Sequence, residues 1–389
     1  MKKLAVIPSD PISAYLSAGY GEKWLREYFN PLKFFDEVYV FSPKEKNNPD
    51  LLGMKAIHTQ PHELPARLKE FKIDVVRAYG GFWPCAMACC NKVNGIPVVV
   101  SVHDTSQDLL RDAIAKADVV LSMSKAVRNL VLTKFKREDR AWLLPNRIHF
   151  DYMRPYTKVE IGDELDKKYP FKYKIIHVGR KVKQKNLDNL IKSLRHLGKD
   201  YCLLAVGKGD SKPYEQIACN EGVLDQCFFI EAIRNEDLPR YFSWADCMCM
   251  PSRWEGFSIV IIEALAAEAV FVGSNIPEIA EAVQHGHNGL LVNDHEDPQA
   301  IAEMIKIACT DPDVRKKVQS NARKSVEHFE QSKVDALEVE YYKKSLEMAA
   351  RGDFRMSMID QLTATSWGKG IRDAMPVRLR KSILSFLKK

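Results

Sequence analysis

The chain has 389 residues, 46% apolar and 28% charged, the balance of a soluble globular protein long enough for two domains. A formal net charge of +7 favours anionic ligands or an anionic membrane surface. It is too mild to indicate nucleic acid, and no aromatic–basic RNA-binding motif accompanies it. Nine scattered cysteines lack metal-ligand spacing and read as reduced, mostly packed thiols. The apolar start is too short for a signal-peptide core, and no run approaches the roughly 18 apolar residues of a membrane span. A cytoplasmic protein is expected, with any membrane contact peripheral, at the inner face.

In chain order, the strand candidates of the first half are 4–8, 37–42, 74–79, 97–104 and 118–124, with a last strand and turn at 141–146. Helices are expected over 21–28, 63–72, 85–93, 109–116 and 125–135. A polar stretch with Pro155, Gly162 and Pro170 reads as a linker. The alternation then restarts, with strands at 174–179, 202–207, 227–232, 246–250, 269–273 and 289–292. Helices are expected over 186–197, 213–221, 236–243, after Ser258, over 277–284 and over 298–308. Charged helical pattern fills 312–349. The expected architecture is α/β: two doubly wound Rossmann-like domains facing across a cleft, with ligands at the carboxyl ends of the strands. The boundaries are 1–155, a linker over 156–170, 171–345, and a C-terminal extension over 346–389. In that extension, 367–389 carries seven Lys or Arg against Asp373. Pro376 suits a first helical position, and Leu379, Ile383, Phe386 and Leu387 fall on one face. This is the pattern of a basic amphipathic helix on an anionic membrane, or of a helix docking on the first domain.

The most informative stretch is 250–263, MPSRWEGFSIVIIE. Gly256 and Ser258 suit a loop that feeds a helix, whose start attracts phosphate. At about 1.5 Å per residue, Glu255 and Glu263 would stand roughly 12 Å apart. That is wider than the roughly 5–9.5 Å of a glycosidase carboxyl pair. It fits two carboxylates holding hydroxyls at the two ends of a nucleotide-diphosphate sugar. Taken alone, both also fit exposed helix charges. The second anchor is 177–186, HVGRKVKQKN, between a strand and a helix. Gly179 allows a tight turn there, and Arg180, Lys183 and Lys185 place cations for a pyrophosphate. The segment AVGKGDS (205–211) lacks the third glycine of a dinucleotide fingerprint, which argues against a nicotinamide dehydrogenase.

In this order and spacing the segments resemble the large retaining glycosyltransferase family often called family four, with the two-domain GT-B architecture. The resemblance is closest over 171–310 and extends to SVHD (101–104), ADVVLSMSKAVRNLV (117–131) and LPNRIHFDYMRP (144–155). It implies a nucleotide-sugar donor, a glycan or lipid-linked acceptor, a role in cell-surface glycan or glycoconjugate synthesis, and no cofactor or metal. Arg180 and Lys185 would hold the diphosphate and offset charge on the leaving nucleotide. Glu255 would bind hydroxyls of the donor sugar, and Glu263 those of the ribose. Gly256, Phe257 and Ser258 would present backbone amides. His103 would stand beside the donor sugar, and residues 231–235, with Ile233 and Arg234, would form the loop that holds the base. Gly19 and Gly21 match a glycine-bearing loop near the diphosphate and acceptor. Three departures stand out: Ser258 where glycine is usual, Asn146–Arg147 where Asn-Gly is usual, and Gly19 and Gly21 separated by Tyr20. A nucleotide-sugar epimerase of similar fold and a non-catalytic sugar-nucleotide-binding protein are the competing readings.

Overall fold

The computed structural model describes residues 1–17 and 21–355. Two compact units emerge. The first comprises Met1–Ser122, Val127–Leu144 and, of the described residues, 336–355; the second comprises Met123–Ala126 and Pro145–Asp335.

The first unit is built on eight strands: β1 (Lys3–Ile7), β2 (Glu37–Ser42), β3 (Asn48–Leu51), β4 (Met54–His58), β5 (Val75–Tyr79), β6 (Val98–Val102), β7 (Val119–Ser122) and β8 (Ala141–Leu143). Their order across the sheet is β3-β4-β2-β1-β5-β6-β7-β8, and every pair is parallel except β3–β4. The runs VVRAY and VVVSV are buried along their whole length, as parallel strands covered on both faces require. The pair β3–β4 escapes the sequence pattern. It is an edge hairpin turned by Leu52 and Gly53, both at positive φ, with Pro49 on the outermost strand. The helix expected over 109–116 is a short 3₁₀ turn, Asp112–Lys116.

Six parallel strands carry the second unit: β9 (Tyr173–Val178), β10 (Tyr201–Val206), β11 (Cys227–Ile230), β12 (Cys247–Met250), β13 (Phe271–Ser274) and β14 (Leu290–Val292). Their order is β11-β10-β9-β12-β13-β14. Alternate residues supply two cores. Ile176, Leu204, Met248 and Met250 face one layer of helices, and Ile175, Leu203, Cys247 and Cys249 face the other. Asp297 and Asp311 cap the helices Pro298–Thr310 and Pro312–Ser325 through their side chains, each followed by proline at the first helical position. Both units are the doubly wound α/β type that the alternation predicts.

The boundaries differ from the expected ones. Residues 156–170 are not a bare linker. They fold into the helices Lys158–Ile161 and Glu164–Lys168, and Ile161, Leu165 and Tyr169 join the core of the second unit. A capping box between Thr157 and Glu160 starts the first, and Trp244 Nε1 donates to Asp166 at 3.0 Å. At the other end, the helix Gln331–Arg351 begins in the second unit and finishes in the first. There Arg77 of β5 and Glu338, each 1% exposed, form an ion pair at 3.2 Å, and Tyr342 donates to the same carboxylate at 3.0 Å. Pairing is what makes a buried arginine in a sheet tolerable.

Candidate functional site

The strand order of the second sheet reverses between β9 and β12. In a doubly wound sheet that reversal opens a crevice at the carboxyl ends. Lys185 lies just after β9 and Glu255 just after β12, so residues 70 apart in sequence meet there. Lys185 Nζ stands 2.6 Å from Glu255 Oε1, with the side chains 12% and 4% exposed.

Several features fix this meeting. The loop after β9 runs hard against the loop after β10: a Cβ on Gly207, at φ +142, would lie 2.0 Å from the Gly179 carbonyl oxygen. Only glycine fits there. A 3₁₀ turn, Lys183–Lys185, then leads to Asn186 in the left-handed region at φ 55. The buried Asn186 amide donates to the carbonyls of Pro251 (2.9 Å) and His295 (2.6 Å). Arg253 locks the two loops more firmly. Its guanidinium makes two 2.9 Å bonds to Asp188, two to Glu296 at 2.7 and 3.0 Å, and one of 2.6 Å to the Lys183 carbonyl. A bidentate arginine holds geometry as well as charge. Gln184 Nε2 donates to the Trp254 carbonyl at 2.9 Å, and Arg253 N to the Gln184 carbonyl at 2.8 Å.

Beneath Gly179 and Lys185 sits His177, 1% exposed. Burial pushes it down to about 4, and the nearby Lys185 and Lys181 push the same way, against the bond to Cys249. The ring is therefore neutral, with Nδ1 donating to the Cys249 carbonyl at 3.0 Å. Lys181 does not reach outward. Its Nζ donates to the carbonyls of Gly207 and Ile230 at the strand ends.

Glu263 is on the helix Ile259–Ala266 and is buried among its apolar neighbours. Burial raises its carboxyl to about 7, while a 3.0 Å bond from Asn235 Nδ2 pulls it down. The helix begins at Ile259 with Ser258 as its N-cap, so Glu255 lies in the preceding loop. The helical rise therefore does not apply along 255–258. Gly256 is buried, and Phe257 is half-buried with its ring 5.3 Å from that of Phe329. Ser258 Oγ lies 3.7 Å from Met250 Sδ.

Arg180 is exposed beside Gly179. Ile233 packs half-buried against the core. Arg234 is exposed and bonded to Asp237 at 2.8 Å, so Asn235 rather than Arg234 is the residue of this loop bonded to Glu263. Arg147, where glycine is usual, is buried in an ion pair with Asp335.

In the first unit the sheet reverses between β1 and β5. His103 follows β6, with Nε2 2.7 Å from Ser101 Oγ and its ring 6.5 Å from that of Tyr79. Gly21 precedes the helix Glu22–Phe29 at φ −72, a conformation open to any residue. Gly19 lies outside the described residues. Gly80, at φ +103, turns the chain after β5, and the sequence signal for it is the Gly-Gly pair that closes an apolar strand. No local pattern marks Arg253, Asp188, Glu296 or Tyr152, and Asn235, within the expected base-holding loop, gives no sign there of its bond to Glu263. Among the described residues no group of three or more His, Cys, Asp or Glu could hold a metal ion. No helix among them is long and apolar enough to cross a membrane.

Residues 163–325 match the family model of the glycosyl transferases group 1, and residues 19–152 that of glycosyltransferase family 4. Between them the two matches span well over half the chain. An uncharacterized glycosyltransferase of Methanocaldococcus jannaschii is 29% identical over 248 residues, 60% of this chain and 61% of that protein. The chain thus spans less than two thirds of that relative's length. The alpha-D-kanosaminyltransferase of Streptomyces kanamyceticus is 24% identical over 265 residues, 62% of this chain and 68% of the relative. Among solved structures, Anabaena HepE in complex with UDP superposes with a TM-score of 0.74 at 19% identity, covering 88% of this chain and 100% of HepE. At that identity the likeness concerns the fold.

Proposed function

The chain belongs to the glycosyltransferases of the family-four type, and from that premise we propose that it moves a sugar from a nucleotide-diphosphate sugar to a hydroxyl of a glycan or lipid-linked acceptor. Transfer retains the anomeric configuration and serves glycoconjugate synthesis. The observation that carries this reading is the contact of Lys185 with Glu255 at the switch point between β9 and β12. The two charges stand against each other at 2.6 Å. A donor separates them: Lys185, with Arg180, takes the diphosphate, and Glu255 takes hydroxyls of the sugar. Positive charge fixed beside the diphosphate favours departure of the nucleotide. The anomeric carbon–phosphate oxygen bond breaks, the acceptor oxygen bonds the anomeric carbon on the same face, and the acceptor proton passes to the leaving phosphate oxygen. No enzymic nucleophile and no metal is needed for that sequence. Glu263 holds the ribose end.

A thermal-shift screen against UDP-, GDP-, ADP- and TDP-sugars, with and without EDTA, tests the reading. A ligand that binds only the folded chain raises Tm by mass action. One responding nucleotide class, insensitive to EDTA, is expected. A shift without turnover on any acceptor favours the sugar-nucleotide-binding protein, and epimerised donor without transfer favours the epimerase.

A further inference from the structure

We propose that Asn235 and Tyr152 are positioning residues that hold the Glu263 carboxylate toward the nucleoside end of the donor, an inference that rests on the donor reading above. Glu263 projects from a helix whose neighbours Ile261, Ile262, Ala264 and Leu265 are all buried. A carboxylate there needs a donor to stay ionised and a fixed direction to be useful. Asn235 supplies both. Its Nδ2 donates to Glu263 Oε1 at 3.0 Å, and its Oδ1 accepts from the Tyr152 hydroxyl at 3.2 Å. Turning the amide over would set its oxygen against the carboxylate, so the contact with Glu263 itself selects the orientation and the phenol completes it. With Oε1 engaged, Oε2 is the oxygen offered to a vicinal diol.

The three residues come from three segments: the chain after β8, the loop after β11, and the helix after β12. The loop is itself stapled, for Asp237 N donates to the Arg234 carbonyl at 2.9 Å and the Arg234 side chain binds Asp237. The titratable groups facing this relay are Tyr152, pushed up to about 12 by burial and by Glu263 and Glu236, then Glu236, His149, whose ring lies 5.2 Å from that of Tyr152, and Glu263 itself. At neutral pH the phenol is therefore a donor. Loss of the Asn235 bond removes what draws the Glu263 carboxyl down from the value that burial alone would give it.

The test measures Kd for UDP and GDP and for their 2′-deoxy forms by calorimetry, from about pH 5 to about pH 9, on the full chain and on Asn235→Ala, Asn235→Asp, Tyr152→Phe and Glu263→Gln. Wild type is expected to prefer the ribonucleotide and to lose that preference as pH falls through about 7, where Glu263 takes up its proton. Asn235→Ala should weaken ribonucleotide binding about tenfold, erase most of the preference and move the midpoint to higher pH. Asn235→Asp should move it further, and Tyr152→Phe should cost about threefold. Tm without ligand should stay within about 2 °C, since Asn235 is exposed. Should Glu263→Gln lose the preference while Asn235→Ala keeps both preference and midpoint, the positioning role is overturned and the donor reading stands. Unchanged preference in Glu263→Gln, or no binding of any nucleotide by wild type, overturns the donor reading and the relay with it.

Discussion

Lys185 and Glu255 pair inside a shell that is almost closed to water, so removing either takes a close counter-ion from the other. Lys185→Ala and Glu255→Ala should each lower sugar transfer at least 100-fold. Each should also cost roughly 3 kcal/mol of stability. The paired change Lys185→Met with Glu255→Gln should restore most of the Tm and none of the transfer. A single variant with near-normal turnover would remove that residue from the site. Glu263 adds a pH signature. Its folded value, about 7, lies above its ordinary 4.5, so its contribution to stability is complete below about pH 4.5 and is lost as pH rises through 7. Urea unfolding should therefore show wild type gaining roughly 3 kcal/mol over Glu263→Gln on going from pH 8 to pH 4.5. Equal slopes for the two proteins would contradict the burial assigned to this carboxyl. Lys185, Glu255 and Glu263 were readable as candidates because each lies in a short stretch whose residue types already suggest a ligand. Asn235 was readable only as part of the loop 231–235, since its partners Tyr152 and Glu263 lie 83 and 28 residues away and no periodicity encodes them.

The loops that follow β9 and β12 behave as one piece because Arg253 bonds to Asp188 and the Lys183 carbonyl together, and it ties both to the loop after β14 through Glu296. Arg253→Ala should free the two loops from one another without disturbing either strand. The expected outcome is a fall in kcat/KM of about 10–100-fold, with faster amide exchange confined to 182–188 and 251–257. Exchange that rises across the whole second unit would mean the arginine serves the fold at large. Long apolar runs made most strands readable, whereas the β3–β4 hairpin was not, because its turn is Leu52–Gly53 and its outer strand, NPDL, has no alternation. The helices at 158–168 were hidden for a related reason: each is a turn or so long, too short for a period to show, and both are set in place by Trp244, Arg240 and the core. Strand order itself is written nowhere in the local pattern. Knowing that β9 adjoins β12 is what turns two separate motifs into one site.

For the molecule as a whole, charge and apolar patterning together pointed to a membrane surface through 367–389, which lie outside the described residues. We expect a chain ending at residue 366 to lose most of its partitioning into vesicles containing anionic lipid, at roughly 1 kcal/mol per basic residue near the surface, and to keep its response to nucleotide sugar. Partitioning unchanged by the truncation would leave the basic tail a role in docking. The two-domain division was readable from the restart of the alternation near 174, but its true edges were not. The first unit is completed only by 336–355, and nothing in the composition of those residues names their destination. That discontinuity has a temporal consequence. Arg77 and Glu338 are 261 positions apart, so on a ribosome adding about 5–20 residues per second the arginine is made more than ten seconds before its counter-ion. The N-terminal half therefore emerges as an unfinished layer with a cation at its centre. The face of β5 that carries Val76 and Ala78 can be covered by the first half itself, but Arg77 waits for Glu338, so a premature stop before residue 336 releases a chain whose buried arginine never meets this carboxylate.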